Sequence, residues 1–277
     1  AAQRLLPSIQ HIYASYSTIK GSYSSFEDAL ILLNQPLTNY KKHSHSKPIP
    51  FKKEIQLKNL SFRYDKDMPW VLRNINLKFT KGSRIGFIGT TGSGKSTLVD
   101  IIMGLLSQTE VSLIIDKQYI TNKNRAMWRS HMAHVPQNIY LSDSTIEENI
   151  AFGVQKDKID RQQVKKAAKQ AQISGVIEGW QKGYETLVGE RGVRLSGGQR
   201  QRIGIARALY KQADVLIFDE ATNALDNKTE QDVIEAIESL SDKLTIIMIA
   251  HRVSTLKRCK KIVEINNGEI VNIETRV

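Results

Sequence analysis

The sequence predicts an α/β fold with a mixed, mainly parallel sheet, an antiparallel β subdomain and an α-helical subdomain. Short apolar runs at 85–88, 215–218 and 244–250 each lead into glycine or polar residues, which is typical of buried parallel strands. Residues 54–64 and 71–80 instead alternate apolar and polar side chains, as antiparallel strands do. Two kinds of strand in one chain therefore indicate two kinds of sheet.

The amino-terminal part predicts a long amphipathic helix followed by a linker. Apolar residues recur in steps of three and four over residues 3–34, which would give a helix of about 45 Å with Pro7 near its start or at a kink. Residues 35–50 contain three prolines and show no periodicity, so they predict a linker. We therefore expect a helix over 1–34, a linker over 35–50 and a main domain over 51–277. The apolar positions of the helix are Leu5, Leu6, Ile9, Ile12, Tyr13, Tyr16, Ile19, Tyr23, Phe26, Leu30 and Leu33.

The remaining elements of the main domain follow from local patterns. A helix is predicted over about 95–106 and a strand over 111–116. Residues of about 140–212 are mostly helical in composition and form the predicted helical subdomain, which includes a helix over 199–210. The segment 261–271 predicts a hairpin that turns at its Asn-Gly pair.

The composition is that of a globular protein with a basic surface. Hydrophobic residues make up 40% of the chain, and 40 Lys and Arg against 28 Asp and Glu give a net charge of +12. Such a balance suits nucleic acid, an anionic membrane face or an anionic ligand, but a solvated basic surface is the simpler reading. No apolar run approaches the length of a membrane span. Cys259, the single cysteine, fits a reducing cytosol.

The segment "GTTGSGKST" at 89–97 predicts a phosphate-binding loop. It matches the pattern G-x-x-x-x-G-K-[ST] between a predicted strand and a predicted helix, the context of a P-loop NTPase core. Glycines allow backbone N–H groups to approach phosphate oxygens, and the helix that follows directs its positive end to the same place. Lys95 is expected at the β- and γ-phosphates of ATP, and Ser96 at Mg²⁺. The predicted binding residues are Gly89, Thr90, Thr91, Gly92, Ser93, Gly94, Lys95, Ser96 and Thr97.

Two acidic residues end a second predicted strand. Asp219 follows the apolar run 215–218 and is expected to hold Mg²⁺ through water. Glu220 comes next, where a carboxylate can orient and deprotonate an attacking water. Taken alone, the pair would equally suit the first turn of a helix. Its combination with the phosphate loop favours the catalytic reading.

A second glycine turn, "LSGGQRQR" at 195–202, predicts another anion site on the same chain. Ser196, Gly197, Gly198 and Gln199 open the helix over 199–210. One triphosphate does not need two such sites from one subunit. Two subunits arranged head to tail would use both, with each loop facing the serine–glycine turn of its partner.

With these motifs, residues 51–277 resemble the nucleotide-binding domain of an ABC transporter. The resemblance implies that Tyr64, in "SFRY", stacks on adenine, and that Gln137, in "HVPQ", contacts Mg²⁺ and senses a transmembrane partner. It also implies that Asp226, in "NALD", crosses the dimer interface and that His251 contacts the γ-phosphate. Without the family, Tyr64 would read as an ordinary strand aromatic and His251 as a structural histidine.

Further segments narrow the class to exporters. "GERGVRLSGGQ" and "DSTIEENIAFG" resemble exporter-type domains, and residues 1–34 resemble the cytoplasmic end of an exporter's last transmembrane helix with the connection beyond it. "RLLPSIQHIY" and "QNIYLSDSTIEENIAFG" are most similar to lipid-linked oligosaccharide flippases and related lipid exporters.

The resemblance implies an ATPase at the cytoplasmic face of the inner membrane that powers export or flipping by ATP-driven dimerisation. The implied cofactors are ATP and Mg²⁺. The implied catalytic residues are Glu220, His251 and Lys95. The implied partners are a second nucleotide-binding domain, as a homodimer, and an exporter's transmembrane domain on the same full-length chain. No nucleic acid partner is expected. The alternatives are a soluble ABC-type ATPase acting on nucleic acid or ribosomes, and a regulatory subunit that binds ATP without hydrolysing it.

Overall fold

The chain folds as two compact units, Ala1–His45 and Ser46–Val277. The computed structural model describes residues 2–35, 49–106, 110–220, 227–250 and 253–276. The helices are α1 (Ala2–Leu33), α2 (Lys95–Ile102), α3 (Arg125–Arg129), α4 (Ile146–Ile150), α5 (Arg161–Gln170), α6 (Ser174–Glu178), α7 (Gly197–Tyr210) and α8 (Asn227–Glu238). The strands are β1 (Glu54–Phe62), β2 (Leu72–Thr80), β3 (Arg84–Ile88), β4 (Glu110–Ile115), β5 (Gln118–Tyr119), β6 (Met132–Val135), β7 (Val215–Asp219), β8 (Thr245–Ile249), β9 (Lys261–Asn266) and β10 (Glu269–Thr275).

The described part of the amino-terminal unit consists of α1 and the turn that follows it. The helix lies within one residue of the predicted bounds at each end, and Pro7 is inside it. The apolar side chains that predicted the helix are exposed. In the part of the chain that the structure describes, no helix combines the length and apolar character needed to span a membrane.

The second unit contains a four-stranded antiparallel sheet with the order β2-β1-β4-β5. Buried and exposed residues alternate along β1 and β2, apart from one irregularity in each strand, because one face of this sheet packs on the core. The alternation in the sequence predicted both strands, and the observed pairing is antiparallel as expected.

The same unit contains a six-stranded mixed sheet with the order β10-β9-β3-β8-β7-β6. Five strands run parallel, and β10 returns antiparallel to β9 through the predicted Asn-Gly hairpin. All residues of β8 are buried, as are four of the five in β3 and in β7. Parallel strands covered on both faces explain the continuous apolar runs that predicted them.

The mixed sheet separates two apolar cores. On one face, Val215 and Ile217 pack with α2 and with the antiparallel sheet. On the other face, Leu216 and Phe218 pack with the helical region formed by α4 to α8. Neighbouring residues of β7 therefore serve different cores, as the two-residue period of a strand requires. The predicted α/β fold class is confirmed.

Two local differences from the sequence prediction have simple causes. Helix α2 ends at Ile102 and not near residue 106, because Gly104 adopts a left-handed conformation with φ of 70°. Strand β6 was not predicted, since it has four residues and includes the polar His134. Pairing with β7 creates it, and a tertiary contact of this kind leaves little trace in the local sequence.

Candidate nucleotide-binding site

The site is built at the carboxyl ends of four neighbouring parallel strands. Phe87 of β3 pairs with Ile249 of β8, Ile249 pairs with Asp219 of β7, and Phe218 of β7 pairs with Val135 of β6. The segments that follow these strands therefore leave the sheet at the same edge. Ligands of open α/β sheets bind at this kind of edge.

The phosphate loop follows β3 and leads directly into α2. Gly89 has a φ of 148°, and a Cβ at this position would lie 2.1 Å from the carbonyl oxygen of Ile265. Glycine is therefore required by both conformation and space. Helix α2 begins at Lys95 with Gly94 at its N-cap, and no side chain caps its first turn. The free N–H groups of that turn suit an anion.

Lys95 holds the phosphate loop from inside. Its Nζ donates hydrogen bonds to the carbonyl oxygens of Gly89 at 2.9 Å and Thr90 at 2.7 Å, and lies 3.4 Å from Oγ of Ser93. The residue is only 5% exposed. Burial lowers the pKa of Lys95, although the nearby carboxylates of Glu220 and Asp219 oppose the shift. Those interactions place the lysine and the acidic pair in one electrostatic site.

The acidic pair lies in a region with surplus negative charge. Burial and repulsion by Glu220 and Asp100 raise the pKa of Asp219, while His134 and Lys95 act in the opposite direction. Glu220 adopts a left-handed backbone conformation with φ of 48°, and its N–H donates to the carbonyl of Ile249 at 3.0 Å. A cation next to Asp219 would relieve this charge imbalance.

Two residues of this environment were not predicted from the sequence. Asp100 lies on α2 four residues after Ser96, so the two share a helix face. Burial raises the pKa of Asp100, and His134 at β6 opposes that shift. The helical spacing from Ser96 was a usable signal for Asp100. His134 depends on the pairing of β6, for which the sequence gave little indication.

Tyr64 lies beside the start of α2. Its Oη is 3.1 Å from Oγ1 of Thr97, and its ring packs edge-on against Phe62 at 5.0 Å between centroids. The ring is 59% exposed. An exposed aromatic face near the phosphate loop can stack on a base.

The other predicted residues of this edge have accessible positions. Gln137 is exposed two residues beyond the end of β6. Ser96 is exposed in the first turn of α2, and Thr90, Thr91 and Gly92 are exposed in the loop. Asp226 and His251 lie outside the described residues.

The serine–glycine turn forms the amino terminus of α7. Oγ of Ser196 accepts a hydrogen bond from the N–H of Gln199 at 3.2 Å, and Oε1 of Gln199 accepts one from the N–H of Ser196 at 2.9 Å. This reciprocal capping box occupies the amide oxygen of Gln199, while the exposed Ser196 keeps its hydroxyl proton for a ligand. Among the described residues, no hydrogen bond or ion pair joins residues 196–199 to the phosphate loop.

The comparison with protein families decides the assignment. The model described as ABC transporter matches residues 72–223, more than half of the chain, and includes the phosphate loop, the serine–glycine turn and the acidic pair. The chain belongs to the ABC transporter family. It is an ATP-binding domain with the ATPase fold of that family.

Relatives and a solved structure agree with this assignment. The ATP-dependent lipid A-core flippase of Francisella tularensis is 37% identical over 272 residues, covering 98% of this chain and 44% of the relative. The flippase of the same name from Idiomarina loihiensis is 40% identical over 218 residues, covering 79% of this chain and 37% of the relative. A bacterial Atm1-family ABC exporter with ATP bound superposes with a TM-score of 0.78 at 33% identity, covering 94% of this chain and 45% of the exporter.

The chain spans less than half the length of these relatives. It is homologous to the nucleotide-binding parts of flippases and exporters. The predicted family and exporter-type ATPase class are confirmed. The names of these relatives give no support to the alternative of a soluble ATPase that acts on nucleic acid.

Proposed function

We propose that this domain hydrolyses ATP to power the export or flipping of a substrate across a membrane. The observation that carries the proposal is the meeting of Lys95, Asp219 and Glu220 at the edge where the phosphate loop leaves β3. That edge combines donors for phosphate oxygens with a carboxylate placed to act on water.

The described residues suit a nucleotide that arrives with Mg²⁺. The loop N–H groups and Lys95 bind the phosphates, while Tyr64 offers its ring to the adenine. Ser96 and Asp219 would hold Mg²⁺, directly or through water. Mg²⁺ uses few protein ligands together with phosphate oxygens and water. When bound, Mg²⁺ neutralises charge on the phosphate oxygens.

Glu220 acts as the general base in this proposal. Its carboxylate accepts a proton from the attacking water, and Lys95 stabilises the negative charge that develops on the γ-phosphate oxygens. His251 is proposed to assist at the same oxygens. The left-handed backbone of Glu220, fixed by its hydrogen bond to Ile249, sets the direction from which the side chain leaves β7.

Replacement of Glu220 by glutamine tests the function. The amide keeps the size of the side chain but cannot take a proton, so ATP turnover should fall by about 10²–10⁴-fold while ATP still binds. Phosphate release and nucleotide binding are measured on the same preparation. Glu178→Gln, an exposed position on α6, is the matched control and should leave turnover unchanged. Equal turnover in Glu220→Gln and the control would exclude Glu220 as the base.

The proposed partners rest on the two glycine turns that the sequence places on one chain. We propose that Ser196, Gly197, Gly198 and Gln199 of one copy cover the nucleotide held by a second copy, with Asp226 at the seam. Gln137 and the segment after it would transmit closure to a transmembrane domain on the full-length chain. Residues 1–34 would be the cytoplasmic end of that domain's last helix, with 35–50 as linker and 51–277 as the ATPase domain at the cytoplasmic face of the inner membrane.

The transported substrate is proposed at class level only. The relatives above are named for lipid A-core flipping and for the Atm1 family. Because the chain covers less than half of each relative, these matches support ATP-driven export of a membrane-crossing substrate and favour no particular cargo.

A further inference from the structure

A large cleft lies at the opposite edge of the mixed sheet from the candidate nucleotide site. Its volume is ≈ 720 Å³, which is within the range of small-molecule sites. Asp214 lies immediately before β7, and the cleft reaches it, whereas Asp219 ends β7 at the nucleotide edge. Five residues of strand separate the two positions by about 16 Å. The cleft is therefore a separate site.

Both acidic residues in the wall of this cleft are already compensated by cations. Oδ1 of Asp214 accepts a hydrogen bond from Nζ of Lys81 at 2.8 Å, and Oδ2 contacts Nδ1 of His131. Asp242 pairs with Arg84 at 3.4 Å. Burial alone would raise the pKa of Asp214, but Lys81 and His131 outweigh it and hold that pKa below its ordinary value. The wall therefore offers little uncompensated negative charge.

The remaining charge of the wall is positive. Lys52, Lys166 and Lys243 line the cleft and form no ion pair with any residue that the structure describes. The ammonium group of Lys81 is held in place by two hydrogen bonds, one to Asp214 at 2.8 Å and one to the carbonyl of Phe51 at 3.0 Å. An ammonium group has three protons, so Lys81 adds one positioned donor to the wall. These lysines come from separate parts of the sequence that the fold brings together.

The polar neutral groups of the wall suit a hydrogen-bonding ligand. The same cleft is lined by Gln163 and Gln170 on α5, Gln212 after α7 and Ser241 before β8. Amides and hydroxyls can bind either phosphate oxygens or the hydroxyl groups of a phosphorylated sugar.

A second cleft of ≈ 480 Å³ shares Gly82 and Asp242 with the first. Lys257 and Lys260 line it and likewise have no ion pair with a described residue. The two clefts therefore form one continuous basic surface. Its extent favours a ligand that carries several negative charges over a single small ion.

We propose that the cleft between Lys52, Lys166 and Lys243 binds a small anion that carries two or more phosphate groups. Two sources share this chemistry: an inorganic polyphosphate and a phosphorylated metabolite. The lysine ammonium groups bind the phosphates, and the glutamine amides bind oxygens between them.

Binding is tested with tripolyphosphate and, separately, with a sugar bisphosphate, by calorimetry without divalent cations. Both titrations use the 277-residue chain with Lys95→Ala, a substitution that removes the lysine of the phosphate loop. In this background, Lys166→Gln with Lys243→Gln should weaken binding about tenfold or more, the scale of one lost charge-assisted hydrogen bond. The matched control, Lys123→Gln with Lys158→Gln, removes two exposed lysines away from the cleft and should bind as the background does.

The two arms separate the sources. Binding of tripolyphosphate that depends on the cleft lysines supports a site for inorganic polyphosphate, and the same dependence for the sugar bisphosphate supports a phosphorylated metabolite. The proposal is overturned when neither ligand binds, or when the cleft and control variants lose affinity equally. Thermal unfolding of each variant verifies that the exposed lysine replacements leave the fold intact. Absence of anion binding in the cleft would not change the Glu220→Gln result, so the proposed function is tested independently.

Discussion

At the scale of single residues, the proposed phosphate contact of Lys95 follows from the position of its ammonium group. Its ammonium now donates to carbonyl oxygens of its own loop. A phosphate would replace these neutral acceptors with charged ones, so binding gains charge-assisted hydrogen bonds. The same burial that lowers the pKa of Lys95 strengthens its interaction with an arriving anion.

Lys95→Met is therefore expected to weaken ATP binding by about 10- to 100-fold, the equivalent of roughly 1.5–3 kcal/mol for a hydrogen bond to a charged group. Titration with a fluorescent ATP analogue measures this change. Lys211→Met is the control, because Lys211 is also partly buried and donates to a carbonyl, that of Met132, away from the loop. Undiminished affinity in Lys95→Met would contradict the assignment of the phosphate site.

Asp116 predicts a pH-dependent contribution to stability. Its carboxylate accepts hydrogen bonds from the N–H groups of Lys52, Lys53 and Glu54. Partial burial alone would raise its pKa, but these donors and the charge of Lys53 bring the pKa below its usual value. A pKa depressed by folding stabilises the fold above the unfolded value of about 3.9, and this contribution is lost as pH falls through the folded value.

Asp116→Asn keeps a residue that tolerates the left-handed backbone but removes the charge. We expect the free energy of unfolding to fall by about 1 kcal/mol at pH 7. The difference from the parent chain should shrink as pH falls below about 3.9. Urea unfolding at several pH values measures the difference in free energy of unfolding. The control is Asp143→Asn, a substitution in an exposed loop. A difference that stays constant from pH 7 to acid would show that the carboxylate charge is not involved.

The sequence indicates candidate site residues where one local segment carries the whole signal. Glycines, lysine and hydroxyls in nine residues predicted the loop around Lys95, and two acids after an apolar run predicted Asp219 and Glu220. Asp100 and His134 were missed because their proximity to Asp219 depends on α2 and β6 meeting at one edge. The capping use of the Gln199 amide was missed too, although Ser-x-x-Gln spacing is a known signal for it.

At the scale of elements, α7 joins the serine–glycine turn to the core. Its amino-terminal turn lies against α8, and a Cβ at Gly198 would be 1.9 Å from Cγ2 of Thr229. The glycine is therefore a packing requirement as well as part of the predicted anion site. The sequence indicated the second role only, because the contact partner lies 31 residues further along the chain (229 − 198).

Gly198→Ala should lower the free energy of unfolding by about 1–3 kcal/mol through overpacking. Urea unfolding followed by circular dichroism measures the loss. Adding Thr229→Ser removes the methyl group that collides, so the double variant should recover most of it. Thr229→Ser alone is the control for the serine. No recovery in the double variant would place the cause of destabilisation elsewhere in α7.

At the scale of the whole molecule, no hydrogen bond or ion pair among the described residues joins the two predicted anion sites of one chain. Lys95 and the acidic pair share one site, while Ser196 lies at the start of α7 and contacts Gln199. In a head-to-tail dimer each nucleotide would lie between the loop of one copy and the turn of the other. Such an arrangement would use both motifs and would give a reason for their presence on one chain.

Mixing two inactive variants tests this arrangement. Lys95→Ala disables the phosphate loop, and Ser196→Arg blocks the turn with a long charged side chain at the N-cap of α7. In a mixed dimer both defects fall in one shared site, and the other site receives an intact loop and an intact turn. The mixture should therefore show ATPase activity that neither variant has alone, measured by phosphate release. Activity no greater than the sum of the two variants would mean that each chain completes its site by itself, since a site within one chain gains nothing from a partner.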